Sequence, residues 1–222
     1  MKKKIILSLL LVISIFGISA CATKDAKQFK EDYEKLNGQT NKSGKAHRSV
    51  KIDEENPFIY ATAEEIVEKI NNKETFYVYF GDDLCPWCRS AIEKAIEVAK
   101  KNKIDKIYYI AIWDDDGKEI LRDKYELKDG EITKTIDGTE SYKKLLEKFD
   151  SVLSEYNLTD ENGDKVSTGE KRIYAPNYIY VKDGVAVKLV EGTSENQKDS
   201  REELTKELLD DEEKIFNDFF NN

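Results

Sequence analysis

Histidine and cysteine are scarce in this sequence, and their scarcity limits the chemistry that the chain can perform. The 222 residues include one histidine, His47, and three cysteines, Cys21, Cys85 and Cys88. With its single histidine in a polar segment, the sequence offers no Ser-His or Cys-His catalytic pair, and we expect His47 to be solvated. A zinc site has about four ligands, and a site built on Cys85 and Cys88 would lack its second pair. We therefore expect no metal ion.

Long apolar runs are also rare, and the one that stands out lies at the N-terminus. Three lysines precede the run Ile5 to Ile18, which is too short and too one-sidedly flanked for a stable membrane span. This pattern predicts a signal peptide over residues 1–20. Ser19 and Ala20 before Cys21 resemble a bacterial lipobox, which implies a diacylglycerol on Cys21 and a mature protein anchored on the outer face of a membrane. An ordinary secretory signal followed by a chance cysteine is the alternative.

Basic residues are too few to balance the acidic ones. The full chain has 36 Lys and Arg against 45 Asp and Glu, and removal of residues 1–20 leaves 33 against 45, a net charge of −12. This charge argues against binding to nucleic acid and against adhesion to anionic lipid through charge. If Cys21 carries lipid, only Cys85 and Cys88 remain in an oxidising compartment, which favours a chemically active pair over a scaffold disulfide.

Residues 21–56 are polar, rich in Lys, Asp, Asn, Ser and Gly, and predict a tether that holds a domain away from the membrane. The spacing of Phe29, Tyr33 and Leu36 leaves open a short amphipathic helix packed on that domain.

The domain itself is predicted to cover residues 57–222. Phe58 to Tyr60 favours a first strand, and Thr62 with Glu65 three residues later is typical of the capping box that starts a helix. We find no internal repeat and no second domain boundary.

The strongest local pattern is a strand, a short loop and a helix around Cys85 and Cys88. Thr75 to Phe80 are all β-branched or aromatic, as expected of a central strand covered on both faces. Pro86 suits the first position of a helix, and apolar residues recur after it at helical spacing. Cys85 then lies at the helix cap, where free N–H groups and the helix dipole stabilise a thiolate.

The two cysteines are therefore predicted to differ. We expect Cys85 to be exposed, partly ionised at neutral pH and the nucleophile. Cys88 lies one turn further along, in line with Ile92 and Ala95, so it should be shielded and should resolve the mixed disulfides that Cys85 forms. An inert structural disulfide and half of a zinc site are the alternatives for this pair.

From the motif Cys85-Pro86-Trp87-Cys88 onward, the sequence resembles the thioredoxin superfamily. Tyr174 to Lys188 is similar to the family's proline-led strand, tight turn and following strand. The resemblance implies that the bond before Pro176 is cis and that Pro176 faces the active-site disulfide. It also implies a thioredoxin-like α/β fold, in which helices flank a central mixed β-sheet. Residues 114–174 would be an inserted, mostly helical segment before the cis-Pro strand.

Two late helices follow from apolar spacing. Positions from Tyr142 to Tyr156 predict one amphipathic helix inside the insertion, which also has a hairpin signal at Lys128 to Glu131. Ser200 with Glu203 is typical of a capping box that starts a last helix.

Two positions depart from the family pattern. Thioredoxin itself has a tryptophan just before the first cysteine and a buried acid six residues before it, where this chain has Leu84 and Tyr79. We expect the neighbouring Asp82 and Asp83 to be solvated loop charges, and assistance to proton transfer is the alternative. The Pro-Trp dipeptide is closer to the Pro-Tyr of glutaredoxins and of thioredoxin-like proteins that accompany bacteriocin export. No glutathione site is identifiable.

The lipobox and the thioredoxin resemblance together imply a membrane-anchored, extracytoplasmic thiol-disulfide oxidoreductase that requires no bound cofactor. Its partners would be thiols or disulfides of proteins or peptides, and a redox partner protein. The substrate is expected to meet Cys85 beside Pro86, Trp87, Ala175 and Pro176, with its backbone paired to the segment before the proline. One alternative is an accessory protein for bacteriocin or peptide export. Another is a redox-inactive binding module whose cysteines stay permanently paired.

Overall fold

The structure, a computed structural model, describes residues 24–221, which are built around one mixed β-sheet with helices on both faces. These residues are α/β, with five helices and nine strands. In chain order the elements are α1 (residues 24–34), β1 (Phe58–Tyr60), α2 (Ala63–Asn71), β2 (Phe76–Gly81), α3 (Pro86–Lys101), β3 (Ile107–Ala111), β4 (Lys124–Lys128), β5 (Glu131–Ile136), α4 (Glu140–Phe149), β6 (Ser154–Thr159), β7 (Lys165–Arg172), β8 (Asn177–Lys182), β9 (Val185–Val190) and α5 (Lys206–Phe220).

The five-stranded sheet has the order β1-β3-β2-β8-β9. β1 and β2 each pair with β3 in parallel, whereas β8 and β9 are added antiparallel. β2 therefore lies in the middle, which confirms the central strand predicted at Thr75 to Phe80. Near the end of β2, Phe80 lies opposite Asn177, the first residue of β8. This register brings the loop after β2 next to Pro176.

Side chains of the sheet alternate between two cores, one on each face. Tyr79 of β2 lies in the core formed with α1, α3 and α5, whereas Val78 and Phe80 lie in the core formed with α2 and α4. The capping box predicted at the start of α2 is confirmed. The Glu65 N–H donates to the Thr62 hydroxyl, and the Thr62 N–H donates to the Glu65 carboxylate.

The predicted tether is wrong for residues 24–56, because this segment packs on the sheet. It contributes Phe29, Tyr33 and Ile52 to the core, each with at most 1% of its surface exposed. Phe29 stacks on Phe58 of β1 with ring centroids 4.2 Å apart. The polar composition concealed this packing because a few apolar residues one helical turn apart are enough to bury one face of a helix.

The expectation of a mostly helical insertion at residues 114–174 is also wrong. The segment contains one helix, α4, and two antiparallel hairpins, β4–β5 and β6–β7. The turn Asp129-Gly130, with positive φ at both residues, confirms the predicted hairpin there. The helix predicted to reach Tyr156 ends at Phe149, and Leu153 continues the apolar spacing because the turn after α4 packs in the same core.

The last helix begins later than the pattern at Ser200 and Glu203 predicts. α5 is capped by Thr205, whose hydroxyl accepts a hydrogen bond from the N–H of Leu208 at 3.3 Å. Ser200 lies in an earlier turn, where its carbonyl accepts from Arg48 Nη2 at 3.3 Å. A long-range contact therefore holds Ser200 outside the helix that its local pattern favours.

None of the helices within residues 24–221 is long and apolar enough to cross a membrane. The predicted signal peptide at residues 1–20 and the predicted lipid site Cys21 lie outside the described residues. Anchoring through Cys21 stays a prediction.

Phe29→Ala tests whether the N-terminal segment belongs to the fold. Because the ring is fully buried, we expect the free energy of unfolding to fall by about 3–5 kcal/mol, the usual cost of Phe→Ala in a core. Lys27→Ala on the same helix is the control, since the Lys27 side chain is 71% exposed. That control should change stability by less than about 0.5 kcal/mol. Denaturant unfolding measures both variants. If Phe29→Ala changed stability as little as Lys27→Ala does, the N-terminal segment would be a tether and not part of the fold.

Candidate active site

Cys85 occupies the cap position at the start of α3, as predicted. Its Sγ accepts a hydrogen bond from the N–H of Cys88 at 3.2 Å, and Pro86 begins the helix. The sulfur thus satisfies one of the N–H groups that a helix start leaves free. This N–H and the positive end of the helix dipole are placed to stabilise negative charge on Cys85 Sγ.

Both cysteines are free thiols and both are buried. Cys88 has no exposed surface, which confirms that it is shielded. Cys85 is only 3% exposed, which corrects the expectation of an exposed thiol. The cause is the loop before β8, where the Ala175 carbonyl accepts a hydrogen bond from the Cys85 thiol at 3.5 Å.

The surroundings of Cys88 oppose its ionisation. Burial raises the pKa of the Cys88 thiol well above its usual range, and the hydrogen bond with Cys85 raises it further. Hydrogen bonds from the Tyr79 hydroxyl and the Asp82 backbone offset part of this effect. Cys88 therefore holds its proton at neutral pH.

A groove of about 360 Å³ lies beside the start of α3. It is lined by Trp87, by Tyr174 to Pro176 and by residues of the loop after β9. Ala175 both lines the groove and contacts the Cys85 thiol, so this thiol lies at the edge of the groove. The bond before Pro176 is cis, as the resemblance implies. Pro86, a predicted substrate contact, lies in the first turn of α3 and does not line the groove.

Tyrosines buried near Cys88 were not identifiable from the motif. Tyr33 of α1 and Tyr79 of β2 share a hydrogen bond of 2.9 Å between their hydroxyl groups, and Tyr33 also donates to the Asp82 carbonyl at 3.2 Å. Tyr178 of β8 stacks on Tyr79 with ring centroids 4.4 Å apart. Burial raises the pKa of all three tyrosines well above the usual range, so they stay neutral. The only sequence signal for Tyr33 was its helical spacing from Phe29.

Asp82 is buried, which corrects the expectation of a solvated loop charge. Its carboxylate accepts hydrogen bonds from the N–H of Leu84 at 3.0 Å and of Trp113 at 3.2 Å. Burial raises the pKa of Asp82 to about 7. Those two hydrogen bonds lower the pKa, and the neighbouring Asp83 raises it. Asp83 is itself partly buried and lies 3.3 Å from Lys35 Nζ. A carboxyl that titrates near neutral pH therefore lies in the loop before Cys85.

Arg89 follows Cys88 and is fully buried. Its guanidinium donates to the carbonyls of Arg48 at 2.7 Å and Tyr33 at 2.8 Å, and to Asn37 Oδ1 at 2.9 Å. These bonds tie the N-terminal segment to the first turn of α3. Arginine is rarely fully buried, so the sequence held no signal for this role.

His47 is 8% exposed, which corrects the expectation of a solvated histidine. Burial lowers its pKa, and its Nδ1 has no hydrogen-bond partner among the residues that the structure describes. It lines a second cavity, of about 460 Å³, together with Leu84 and Trp113. Between residues 24 and 221, no group of three or more His, Cys, Asp and Glu side chains is placed to hold a metal ion.

The raised pKa of Asp82 predicts a specific dependence of stability on pH. The unfolded carboxyl releases its proton near pH 3.8, whereas the folded one keeps it to about pH 7. The charge of this group therefore destabilises the fold progressively as the pH rises between those values. Relative to the parent, Asp82→Asn should gain up to about 4 kcal/mol of unfolding free energy from about pH 4 to about pH 7. Urea unfolding at several pH values measures this gain.

Asp53→Asn is a control of opposite sign. A hydrogen bond from Lys100 lowers the pKa of Asp53, so the stabilisation from Asp53 is present above its unfolded pKa and is lost as the pH falls. The Asp53 variant should therefore lose stability relative to the parent as the pH rises. If the difference in unfolding free energy between Asp82→Asn and the parent did not change with pH, the folded protein would not favour the protonated form of Asp82.

Comparison with known proteins assigns no family to the chain. A scan against protein-family models finds no match, and a search of the curated proteins finds none that matches.

Proposed function

We propose that this protein is a thiol-disulfide oxidoreductase of thioredoxin-like fold, with Cys85 and Cys88 as its redox pair. The observation that carries the proposal is the position of Cys85 Sγ. It caps α3, accepts the Cys88 N–H and contacts the Ala175 carbonyl beside Pro176, at the edge of a groove. The mixed sheet, with α3 following its central strand, supports the proposed fold.

The contrast between the two sulfurs supports their roles. Cys85 adjoins the groove and has a hydrogen-bond donor for a thiolate, whereas Cys88 faces the core with a raised pKa. A thiolate is the attacking species in disulfide exchange. Cys85 is therefore the nucleophile and Cys88 the resolving thiol.

In the reductive direction, the Cys85 thiolate attacks one sulfur of a substrate disulfide. The substrate S–S bond breaks, a Cys85–substrate disulfide forms, and the released substrate thiolate takes up a proton. Cys88 then loses its proton and attacks Cys85 Sγ, which releases the second substrate thiol. The substrate disulfide is reduced to a dithiol while the chain gains a Cys85–Cys88 disulfide, and the reverse sequence oxidises a substrate dithiol.

The second step requires a proton acceptor, because Cys88 is protonated at neutral pH. We assign this role to Asp82, because its backbone hydrogen-bonds to Cys88 and its carboxyl, with a pKa of about 7, can accept and release a proton in that range. Tyr79 assists by hydrogen bonding to the Cys88 sulfur as negative charge develops there.

A second candidate is a redox-inactive binding module with permanently paired cysteines. It is favoured by the burial of both sulfurs, with 3% of Cys85 and none of Cys88 exposed. The groove would then bind an extended peptide without covalent chemistry. The two candidates differ in whether Cys85 ever forms a bond to a substrate.

Trapping of mixed disulfides separates the two candidates. In a Cys21→Ala background, Cys88→Ser should accumulate covalent adducts with disulfide substrates, because the attacking thiol has lost its resolving partner. Cys85→Ser should accumulate almost none, since Cys88 faces the core. Non-reducing electrophoresis with mass spectrometry measures the adducts, and the variant lacking both thiols is the blank. Absence of adducts from Cys88→Ser would favour the binding module.

We also propose that lipid on Cys21 anchors the protein on the outer face of a bacterial membrane. The lipobox resemblance supports this localisation. Cys21→Ala should release the protein from the membrane fraction and leave disulfide exchange by Cys85 unchanged. Mass spectrometry of the mature N-terminus would contradict the proposal if Cys21 were unmodified or if cleavage occurred elsewhere.

A further inference from the structure

Two glutamates line the groove beside Cys85. Glu191 and Glu195 belong to the loop after β9, and both are exposed. No lysine or arginine is among the described residues that line this groove. Neither glutamate forms an ion pair with any residue between 24 and 221. The described lining of the groove therefore carries two unpaired carboxylates and no cation, and the nearby Arg172 lies 3.8 Å from another carboxylate, that of Glu119.

The loop that carries these glutamates is held in place by packing and hydrogen bonds. Gly192, with φ of +83°, packs so closely that a Cβ there would lie 2.4 Å from the Phe216 ring. Gln197 Nε2 donates to the Ser90 hydroxyl of α3 at 2.8 Å. Because the backbone is held at Gly192 and at Gln197, binding at the groove has to order the two glutamate side chains but not the loop that carries them.

A further carboxylate strengthens the negative electrostatic potential along the side of the groove that the loop after β9 forms. Ser194, which also lines the groove, donates to the Asp211 carboxylate at 2.6 Å. Hydrogen bonds from Ser194 and Asn196 lower the pKa of Asp211, so a third negative charge lies behind the loop. Burial raises the pKa of Tyr174, the Asn157 backbone and the charge of Arg172 lower it, and the charge of Glu191 raises it, which places Glu191 within electrostatic range of Tyr174.

We propose that Glu191 and Glu195 make this groove selective for peptides that carry lysine or arginine beside the reacting cysteine. The inference rests on the proposed disulfide exchange at Cys85 and names its substrate class. Opposite charges speed encounter and lengthen the life of the bound complex, whereas acidic residues at the same positions of a substrate are repelled. For exposed pairs the effect is roughly 1.4- to fivefold per charge.

The test compares disulfide exchange with two synthetic peptides. Each peptide has one intramolecular disulfide, flanked by lysines in the first and by glutamates in the second. The reduced Cys21→Ala chain should react faster with the lysine peptide, by roughly two- to 25-fold for two charge pairs. Added salt should reduce this ratio, because exposed charges are screened. The double substitution Glu191→Gln and Glu195→Gln should bring the ratio of the two exchange rates close to one. Glu191→Lys with Glu195→Lys should invert the ratio.

The matched control is Glu54→Gln with Glu55→Gln. Both residues are exposed, and they share a cavity with Lys100 near the far end of α3, roughly 24 Å of helix from Cys85. This control changes the net charge equally and should keep the parent ratio. A parent ratio near one, or a ratio that the groove substitutions leave unchanged, would overturn the inference. Absence of disulfide exchange with both peptides would instead refute the exchange activity itself, and the inference with it.

Discussion

The hydrogen bond from the Cys88 N–H to Cys85 Sγ is the contact on which the rest of the site depends. It places one sulfur at the cap of α3 and directs the other into the core. The Ala175 carbonyl then covers the capping sulfur from the side of β8. Two thiols three residues apart thus acquire different surroundings, which a reaction with distinct attacking and resolving steps requires.

Two sets of long-range contacts hold this arrangement. The register between β2 and β8 brings the loop before Cys85 against Pro176. The N-terminal segment supplies the second set, through the bonds from Arg89 to the Tyr33 and Arg48 carbonyls. Residues that look like a tether in the sequence therefore support the helix that carries both cysteines directly.

The parts of the fold that local patterns specify were predictable. The apolar run at Thr75 to Phe80 indicates a buried strand, and Pro86 marks where the next helix begins. These signals depend on neighbouring residues alone, so they suffice to place Cys85 at a helix cap. The cis bond before Pro176 came from the resemblance, and the structure has it.

The buried polar groups were not predictable, because their partners are remote in sequence. Arg89 finds carbonyl acceptors about 40 to 56 positions away, and Asp82 binds the N–H of Trp113. Glu212 stands among acidic residues of α5 yet has no exposed surface, and burial raises its pKa to about 8. A charged residue in a polar run indicates an exposed position unless the tertiary contacts are known.

The rate of alkylation of each cysteine alone, as a function of pH, tests most directly whether Cys85 is the attacking thiol and Cys88 the resolving thiol. In the Cys21→Ala chain, Cys88→Ser leaves only Cys85 and Cys85→Ser leaves only Cys88. We expect Cys85 to react faster at neutral pH and Cys88 to react appreciably only at strongly alkaline pH, since burial raises the pKa of Cys88. Faster alkylation of Cys88 at neutral pH would contradict the account, and the roles of the two thiols would have to be exchanged.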